Sequence, residues 1–244
     1  MMQSWTDDMI RFMKDASEYQ NSGRRFHQEL AMILMRHLNP DWRILDAGCG
    51  LGHLSMALSP YVCHVTAVDI CPRATDVLRG MVKESGTGNV SVYCADAENL
   101  SASRPFDAAV FNRFGDIRGI LRLSRLVHDG VVLIVKRDSE RRQFSTGHEM
   151  CDPLHGIGAS IAELRARGIP YESEEFELSL DQPLRDISDA RLFLKTYNYD
   201  PLAEITDPLV RQAVRPTGRP DFPYIIPAKC NYRLIKVKTR DIPE

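Results

Sequence analysis

Three glycines at alternate positions, Gly48, Gly50 and Gly52, lie in the segment ILDAGCGLGHLS (residues 44–55), and Asp46 precedes them. A strand that ends in glycines and turns into a helix exposes unpaired backbone N–H groups and lets a ligand approach the main chain. A dinucleotide-binding loop needs its third glycine where this chain has His53, so the pyrophosphate version of the loop is not matched. The pattern instead favours a nucleoside with an amino-acid tail. Asp46 would pair with the amino group, and the glycine amides would lie against the tail.

Two further acids end predicted strands. Asp69 closes the segment HVTAVDI, 21 residues after Gly48, where an acid can accept hydrogen bonds from both ribose hydroxyls. Asp96, in the segment CADA, is positioned to accept from an adenine amino group, with the N–H of Ala97 facing the ring. Together with the glycine loop, these acids predict a nucleoside pocket at the carboxyl edge of the sheet.

Each of these residues also has a purely structural interpretation. The glycines could form only a tight turn, and Asp69 could cap the following helix, a role compatible with ribose binding. Asp96 could belong to a solvated loop. Within the glycine loop, Cys49 is expected to pack and His53 to begin the helix.

Strands and helices alternate through the first part of the chain. The predicted strands there are 43–49, 64–70, 90–96, 106–112 and 130–137. The predicted helices are one that starts near Phe26, followed by 53–61, 72–86, 116–127 and 156–168. Continuous apolar strands between helices are typical of a parallel sheet covered on both faces.

The composition of the sequence changes from residue 151 onward, where ten of the 14 prolines lie. The segment 172–180 alternates polar and apolar residues, as expected of a strand with one solvated face. Helices are predicted at 187–198 and 205–214, within an insertion. The segment 223–239 is predicted to end as a β-hairpin-like element or as the last strand, which we place antiparallel beside the previous one at the sheet edge.

The predicted fold class is therefore α/β. It is a doubly wound, Rossmann-like, seven-stranded sheet, mostly parallel, with an antiparallel C-terminal edge strand and helices on both faces. We divide the chain into an N-terminal helical lid, a core, a helical insertion over the acceptor site and an edge strand that completes the core: 1–40, 41–182, 183–222 and 223–244. The insertion aromatics could form an acceptor wall, a helix hairpin packed on the core, or a homodimer interface: Phe193, Tyr197, Tyr199 and Phe222.

Composition limits the class of protein. The 244 residues are 43% hydrophobic and carry a formal net charge of −2, which argues against a dedicated electrostatic grip on nucleic acid. The start of the chain lacks the pattern of a signal peptide, and no apolar run is long enough to span a bilayer, so no membrane partner is expected. The six cysteines form no C-x-x-C pair, which favours reduced thiols and a cytoplasmic location.

The successive segments ILDAGCGLGHLS, VTAVDI, YCADAENL, FDAAVF and GVVLIVKR resemble the motifs of class I S-adenosylmethionine-dependent methyltransferases. The resemblance covers residues 40–137 closely and the rest as an order of elements. It implies S-adenosylmethionine as cofactor. It assigns Asp46 and the three glycines to the methionine part, Asp69 to the ribose, and Asp96 with Ala97 to adenine, and Ile70 is counted with the cofactor-binding residues. Tyr19 and Phe26 are candidates for a lid over the cofactor, or for packing a mobile helix, and Tyr19 is counted with the cofactor-binding residues.

The catalytic residues are not identified by the sequence, because a sulfonium donor needs a general base only when the acceptor must lose a proton. Asn112 could orient a substrate, and His148 or His155 could act as a base. His148, Cys151 and His155 could also clamp a soft metal, but without a fourth ligand we predict no metal site. The basic run at 136–142 could grip an anion or form a solvated loop, and we favour the loop.

The leading functional hypothesis is transfer of a methyl group from S-adenosylmethionine to a small molecule by in-line displacement. Methylation of RNA or protein is the alternative among enzymes. A non-catalytic S-adenosylmethionine sensor and an NAD enzyme on a related fold are the other classes. The acceptor, the atom methylated and the oligomeric state are not predicted.

Overall fold

A computed structural model describes residues 5–19, 25–100, 105–138, 156–197 and 204–243. The helices of the described residues are α1 Asp7–Glu18, α2 Phe26–Leu34, α3 His53–Leu58, α4 Pro72–Ser85, α5 Ile117–Leu123, α6 Ile157–Ala166, α7 Ile187–Tyr197 and α8 Asp207–Ala213. The strands are β1 Arg43–Ala47, β2 His64–Asp69, β3 Val90–Cys94, β4 Phe106–Asn112, β5 Val127–Arg137, β6 Glu172–Ser179, β7 Gln182–Leu184, β8 Arg215–Pro216, β9 Tyr224–Ile226 and β10 Lys229–Lys238.

The main sheet has seven strands in the order β3-β2-β1-β4-β5-β10-β6. The first five are parallel to one another, and β10 is antiparallel to both of its neighbours. The predicted fold class, with its antiparallel C-terminal strand, is confirmed. The C-terminal strand lies beside β6, as predicted, but it sits one position inside the edge, and β6 is the outermost strand.

Two hydrophobic cores cover the two faces of this sheet. On one face, α2 and α3 pack against residues such as Ile44 and Leu133. On the other face, α5 and α6 pack against residues such as Leu45 and Ile134. Because side chains alternate along a strand, neighbouring residues of β1 and β5 serve opposite cores.

A third core joins α1 to the segment predicted as an insertion. Phe12 of α1 is fully buried and packs edge-to-face on Phe193 of α7, with ring centroids 5.0 Å apart. A small sheet in the order β7-β9-β8 completes this part. The sequence did not predict that sheet, because its strands have only two or three residues, two of them contain proline, and such short segments give no alternating signal.

The two N-terminal helices pack mainly on different elements, although Ala16 of α1 also belongs to the core that α2 lines. α1 packs with β7 and α7, whereas α2 packs with α3 and β6 in the main body. The division into a lid at 1–40 and an insertion at 183–222 stays a prediction, and within it α1 is the helix that contacts the insertion.

Candidate functional site

The glycine loop leaves β1 and crosses the end of β2. The N–H groups of Gly48 and Cys49 both donate to the carbonyl oxygen of Val68, at 2.8 and 3.0 Å. Gly48 has φ 68°, a left-handed conformation that side chains with a Cβ rarely adopt. A Cβ at this position would lie 2.1 Å from the ring of Phe114, which follows β4. The loop therefore requires glycine both for its backbone conformation and for the close approach of Phe114.

Asp69 connects the glycine loop to the start of α4. Its Oδ2 accepts a hydrogen bond from the N–H of Gly50 at 2.8 Å, and its Oδ1 accepts from the N–H of Cys71 at 2.9 Å. Cys71, rather than Asp69, is the N-cap residue of α4. An ionised carboxylate has about four lone-pair directions, so each oxygen of Asp69 can accept a further hydrogen bond. The ribose role of Asp69 stays a prediction.

Asp46 is a buried carboxyl group beneath the loop. It is 1% exposed, and its Oδ2 accepts a hydrogen bond from the Ser55 hydroxyl of α3 at 2.5 Å. Its pKa is raised to about 6, mainly by burial; the hydrogen bond from Ser55 opposes this rise and the negative charge of Asp69 adds to it. Asp46 can thus change charge near neutral pH, when a cationic group arrives beside it.

The predicted adenine side lies at the ends of β2 and β3. Ile70 is 42% exposed, which leaves an apolar side chain in solvent beside Asp69. Asp96 caps the short 3-10 helix Ala97–Asn99 by accepting from the N–H of Glu98 at 3.0 Å. Ala97 is buried. The assignments of Ile70, Asp96 and Ala97 to the cofactor stay predictions.

The N-terminal helix approaches the site at its first turn. Trp5, just before α1, lies 3.2 Å from the place a Cβ of Gly50 would occupy. Tyr19, at the other end of α1, packs edge-to-face on Phe222, with the Arg219 guanidinium 5.0 Å from its ring centroid. Burial raises the pKa of Tyr19. The role of Tyr19 in cofactor binding stays a prediction, and the aromatic residue found over the glycine loop is Trp5.

The predicted catalytic candidates fall on both described and undescribed parts of the chain. Asn112 ends β4, and its Oδ1 is buried without a hydrogen-bond partner within the part of the chain that the structure describes. His148 and His155 lie outside the described residues, as do Cys151, Tyr199 and the arginines at 141 and 142. Lys136, in the basic run, is 4% exposed and donates to the Gly115 carbonyl oxygen at 3.0 Å, so this residue is part of the fold and not of a solvated loop.

Two histidines lie side by side near the loop. His27 of α2 and His53 of α3 stack with ring centroids 5.3 Å apart. Burial lowers the pKa of His53 to about 4 and holds that of His27 well below its usual range. Both imidazoles are therefore neutral at pH 7, and a low pKa makes each a weak base.

Sequence reasoning missed three residues at this site. Trp5 gave no signal, because an isolated tryptophan near a chain start has no periodic neighbours. Arg113 and Phe114 directly follow Asn112, the predicted substrate-orienting residue, but the residue types alone did not single them out. Within the described ranges no cluster of three or more His, Cys, Asp or Glu could hold a metal ion. None of the helices in these ranges is long and apolar enough to cross a membrane.

Comparison with known proteins now adds to this geometry. Residues 44–127 match a family model described as a methyltransferase domain, and this match spans β1 to the start of β5. This part of the chain is similar to a methyltransferase domain. The mostly parallel seven-stranded sheet of the chain has the Rossmann-like fold of solved structures such as a putative methyltransferase from Bacillus halodurans.

Relatives of this chain differ in the acceptor that their names state. The uncharacterized methyltransferase YcgJ of Bacillus subtilis is 29% identical over 55% of this chain and 58% of its own length. Its crystal structure aligns over 86% of this chain and 97% of YcgJ with a TM-score of 0.51 and 19% identity, a likeness of fold. Ribosomal RNA small subunit methyltransferase A of Thermobifida fusca is 30% identical over 56% of this chain, and malonyl-[acyl-carrier protein] O-methyltransferase of Bacillus anthracis is 29% identical over 57%. The chain spans 51% of the length of each of these two relatives.

Proposed function

We propose that this protein is an S-adenosylmethionine-dependent methyltransferase that transfers a methyl group to a small-molecule acceptor in the cytoplasm. The observation that carries the proposal is the link between two strand ends, in which Asp69 accepts from the N–H of Gly50 at 2.8 Å. This contact holds an acidic side chain and a bare backbone loop together at the carboxyl edge of the sheet, where α/β proteins bind nucleosides.

The residues at this edge fit the parts of the cofactor. Asp69 keeps free lone pairs for ribose hydroxyls, and the exposed Ile70 offers an apolar surface beside them. Asp46, with its pKa raised to about 6, would ionise against the cationic amino group of the methionine part. The bound cofactor supplies an already activated methyl group on its sulfonium. The rings of Trp5 and Phe114 lie against the glycines, where an aromatic face stabilises a cation by roughly 0.5–1 kcal/mol.

The chain's own contribution is positioning and exclusion of water. β4 delivers Asn112 and the following loop next to the glycine loop, and α2 covers the same face of the sheet. Because the described histidines near the site, His27 and His53, have depressed pKa values, we assign neither of them as a general base. Alignment of the acceptor behind the methyl group then accounts for most of the rate, as expected for two reactants held in a near-attack geometry.

RNA is the second candidate acceptor, and it is favoured by one observation: a relative at 30% identity is named as a ribosomal RNA methyltransferase. The net charge of −2 favours the small molecule. Affinity for tRNA or rRNA that falls steeply between 50 and 200 mM salt, a range over which about six phosphate contacts cost roughly a thousandfold, would support the RNA acceptor.

The proposal is tested by calorimetric titration with S-adenosylhomocysteine and with NADH, followed by a turnover assay. We expect saturable binding of S-adenosylhomocysteine, no binding of NADH, and formation of S-adenosylhomocysteine from S-adenosylmethionine with some member of a panel of small acceptors. Binding without turnover on any small molecule, RNA or protein would support the sensor hypothesis. Binding of NADH alone would contradict the proposal.

A further inference from the structure

A strained arginine follows the last residue of β4. Arg113 has φ 55°, a left-handed conformation that costs a non-glycine residue about 1–2 kcal/mol. Its N–H donates to the carbonyl oxygen of Val135 on β5 at 2.8 Å, which holds the backbone in place. Backbone strain of this kind, at a strand end beside a ligand-binding loop, is typical of a side chain held in position for a function.

The guanidinium of Arg113 faces an unusual environment. The residue is accessible to solvent, yet burial lowers its pKa, and the positive charge of Arg137 lowers it further. The guanidinium lies near Phe26 of α2 and Tyr232 of β10, and we call the space among these three side chains the Arg113 pocket. It forms no ion pair with any carboxylate of the described residues, and its nearest described aromatic partner is Phe26, whose ring centroid lies 5.5 Å away. An arginine remains protonated under these conditions, so within the described ranges the positive charge of Arg113 is not balanced by a paired carboxylate.

Strand register brings further polar groups to the same face of the sheet. Asn112 lies opposite Val135, and Arg137 follows Val135 by two residues. Tyr232 on β10 lies opposite Arg137. Because directly opposed residues of adjacent strands share a face, Asn112, Arg137 and Tyr232 all point toward the side covered by α2.

Three polar atoms around this pocket lack partners. The Tyr232 hydroxyl, the His27 Nδ1 and the Asn112 Oδ1 are buried and form no hydrogen bond with the rest of the described chain. Tyr232 is 0% exposed and His27 is 6% exposed. The ring of Phe26 touches both, with centroid distances of 5.6 Å to Tyr232 and 4.9 Å to His27. Buried polar groups without a partner destabilise a fold, so their grouping around one cation indicates a bound molecule that satisfies them.

We propose that this pocket binds the methyl acceptor and that the acceptor is a small organic anion whose oxyanion pairs with Arg113. The inference rests on the proposed methyltransferase function, since it assigns the acceptor site of that reaction. The planar guanidinium matches a carboxylate or a phosphate, which both present two oxygens to its fork. Tyr232 donates to the same molecule, while neutral His27 and Asn112 bind its polar edge. The Phe26 and Tyr232 rings form an apolar wall that suits a compact organic body.

The test uses ligand-observed NMR on the full chain saturated with S-adenosylhomocysteine, with benzoate, phenyl phosphate and benzamide as probes. We expect at least one anion to bind about tenfold or more tightly than the neutral amide, because benzamide lacks the charge that pairs with the guanidinium. The tighter anion identifies whether a carboxylate or a phosphate fits the site. Equal binding of all three probes, or no binding of either anion, would overturn the proposal.

Substitutions test whether the preference for an anion depends on Arg113. Arg113→Met should abolish the preference for the anion, and Arg113→Lys should retain part of it, because lysine keeps the charge and loses the fork. Arg122→Met is the matched control, since Arg122 is an exposed arginine that pairs with Glu98 outside the site. We expect this control to keep the preference for the anion over benzamide. In all three variants the affinity for S-adenosylhomocysteine should change less than about twofold, in contrast to the tenfold change expected for the anion.

A second substitution keeps the test decisive if Arg113→Met does not fold. Tyr232→Phe removes a hydroxyl that has no described partner, so we expect an unchanged or raised melting temperature together with a several-fold loss of anion affinity. Wild-type anion preference in both variants would overturn the site. The protein could also fail to bind S-adenosylhomocysteine and still show an anion preference that depends on Arg113. That result would support the anion site and contradict the methyltransferase proposal.

Discussion

The carboxylate of Asp69 lies 2.8 Å from the backbone nitrogen of Gly50, so the end of β2 and the loop after β1 form one hydrogen-bonded unit. The same carboxylate holds the N–H of Cys71 at the start of α4. A ligand that contacts Asp69 therefore also lies beside the glycine loop. A substitution of Asp69 affects both the ligand contact and the loop.

Asp69→Ala should weaken binding of S-adenosylhomocysteine by tenfold or more, because hydrogen bonds to a charged group contribute about 1.5–3 kcal/mol. The substitution removes the predicted ribose acceptor and releases the N–H of Gly50. Calorimetry measures the effect directly. Asp69→Asn separates the two roles, because an amide oxygen can still accept from one backbone N–H but the side chain carries no charge.

Asp107→Asn serves as the control for this prediction. Asp107 lies near the start of β4, away from the carboxyl edge, and its Oδ2 accepts from the N–H of Arg43 at 2.7 Å. We expect it to lower stability without changing the affinity for S-adenosylhomocysteine. Equal losses of affinity in the Asp69 and Asp107 variants would contradict a specific role for Asp69.

Cofactor affinity should depend on pH through Asp46. Its pKa of about 6 in the free protein means that the carboxyl group is largely neutral at pH 5 and ionised at pH 7. The ionised form pairs with the cationic amino group of the ligand, so the affinity for S-adenosylhomocysteine should rise as the pH increases through 6. Titrations from pH 5 to 8 should show this rise in the wild type, and a flat profile in Asp46→Asn. A flat wild-type profile would exclude the pairing.

The stability of the free protein should change in the opposite direction. A folded-state pKa raised from 3.8 to about 6 contributes stability that is fully present below pH 4 and is lost as the pH rises through 6. The difference amounts to about 3 kcal/mol. We expect the free energy of unfolding of the wild type, measured relative to Asp46→Asn by urea denaturation, to fall between pH 4 and pH 7. The comparison cancels the opposite contributions of His27 and His53, which both proteins share.

Gly48→Ala should disrupt the loop. A Cβ at Gly48 would meet the Phe114 ring, and the positive φ adds strain of about 1–2 kcal/mol. We expect loss of stability by chemical denaturation and loss of S-adenosylhomocysteine binding, with partial recovery of stability in the double variant Gly48→Ala/Phe114→Ala. Gly80→Ala is the control. It lies in α4 with open space around it, so alanine should stabilise the protein by about 0.5–1 kcal/mol.

Trp5 should report on cofactor binding. The chain has two tryptophans, and Trp5 lies over Gly50, whereas Trp42 packs against the main core. We expect the fluorescence to change on addition of S-adenosylhomocysteine, and this change to disappear in Trp5→Phe but to persist in Trp42→Phe. A signal that follows Trp42 instead would remove the start of α1 from the site.

The main sheet was predictable from sequence because its strands are continuously apolar and its helices are bounded by clear signals. Pro72 begins α4, and Gly86, with φ 67°, caps its end, as the sequence predicts. The glycine loop was equally predictable, since only glycine tolerates the backbone of residue 48. These features are local, and a single chain segment specifies each of them.

The acceptor side was not predictable, because it depends on contacts between distant segments. Arg113, His27 and Tyr232 come from β4, α2 and β10, and no sequence pattern links them. Lys136 was assigned to a solvated loop from its charged neighbours, but it is buried, because the strand carries it into the interior, where its ammonium group donates a hydrogen bond to the Gly115 carbonyl oxygen. The pairing of Phe12 with Phe193 is likewise a tertiary contact that side-chain type alone does not reveal.

The most direct measurement is a crystal structure of the full chain with S-adenosylhomocysteine. We predict that the ribose hydroxyls contact Asp69, that the adenine lies near Ile70 and Asp96, and that the amino-acid tail crosses Gly48 and Gly50 with its amino group at Asp46. A ligand found away from this edge of the sheet, or an edge that stays empty at saturating S-adenosylhomocysteine, would contradict the account.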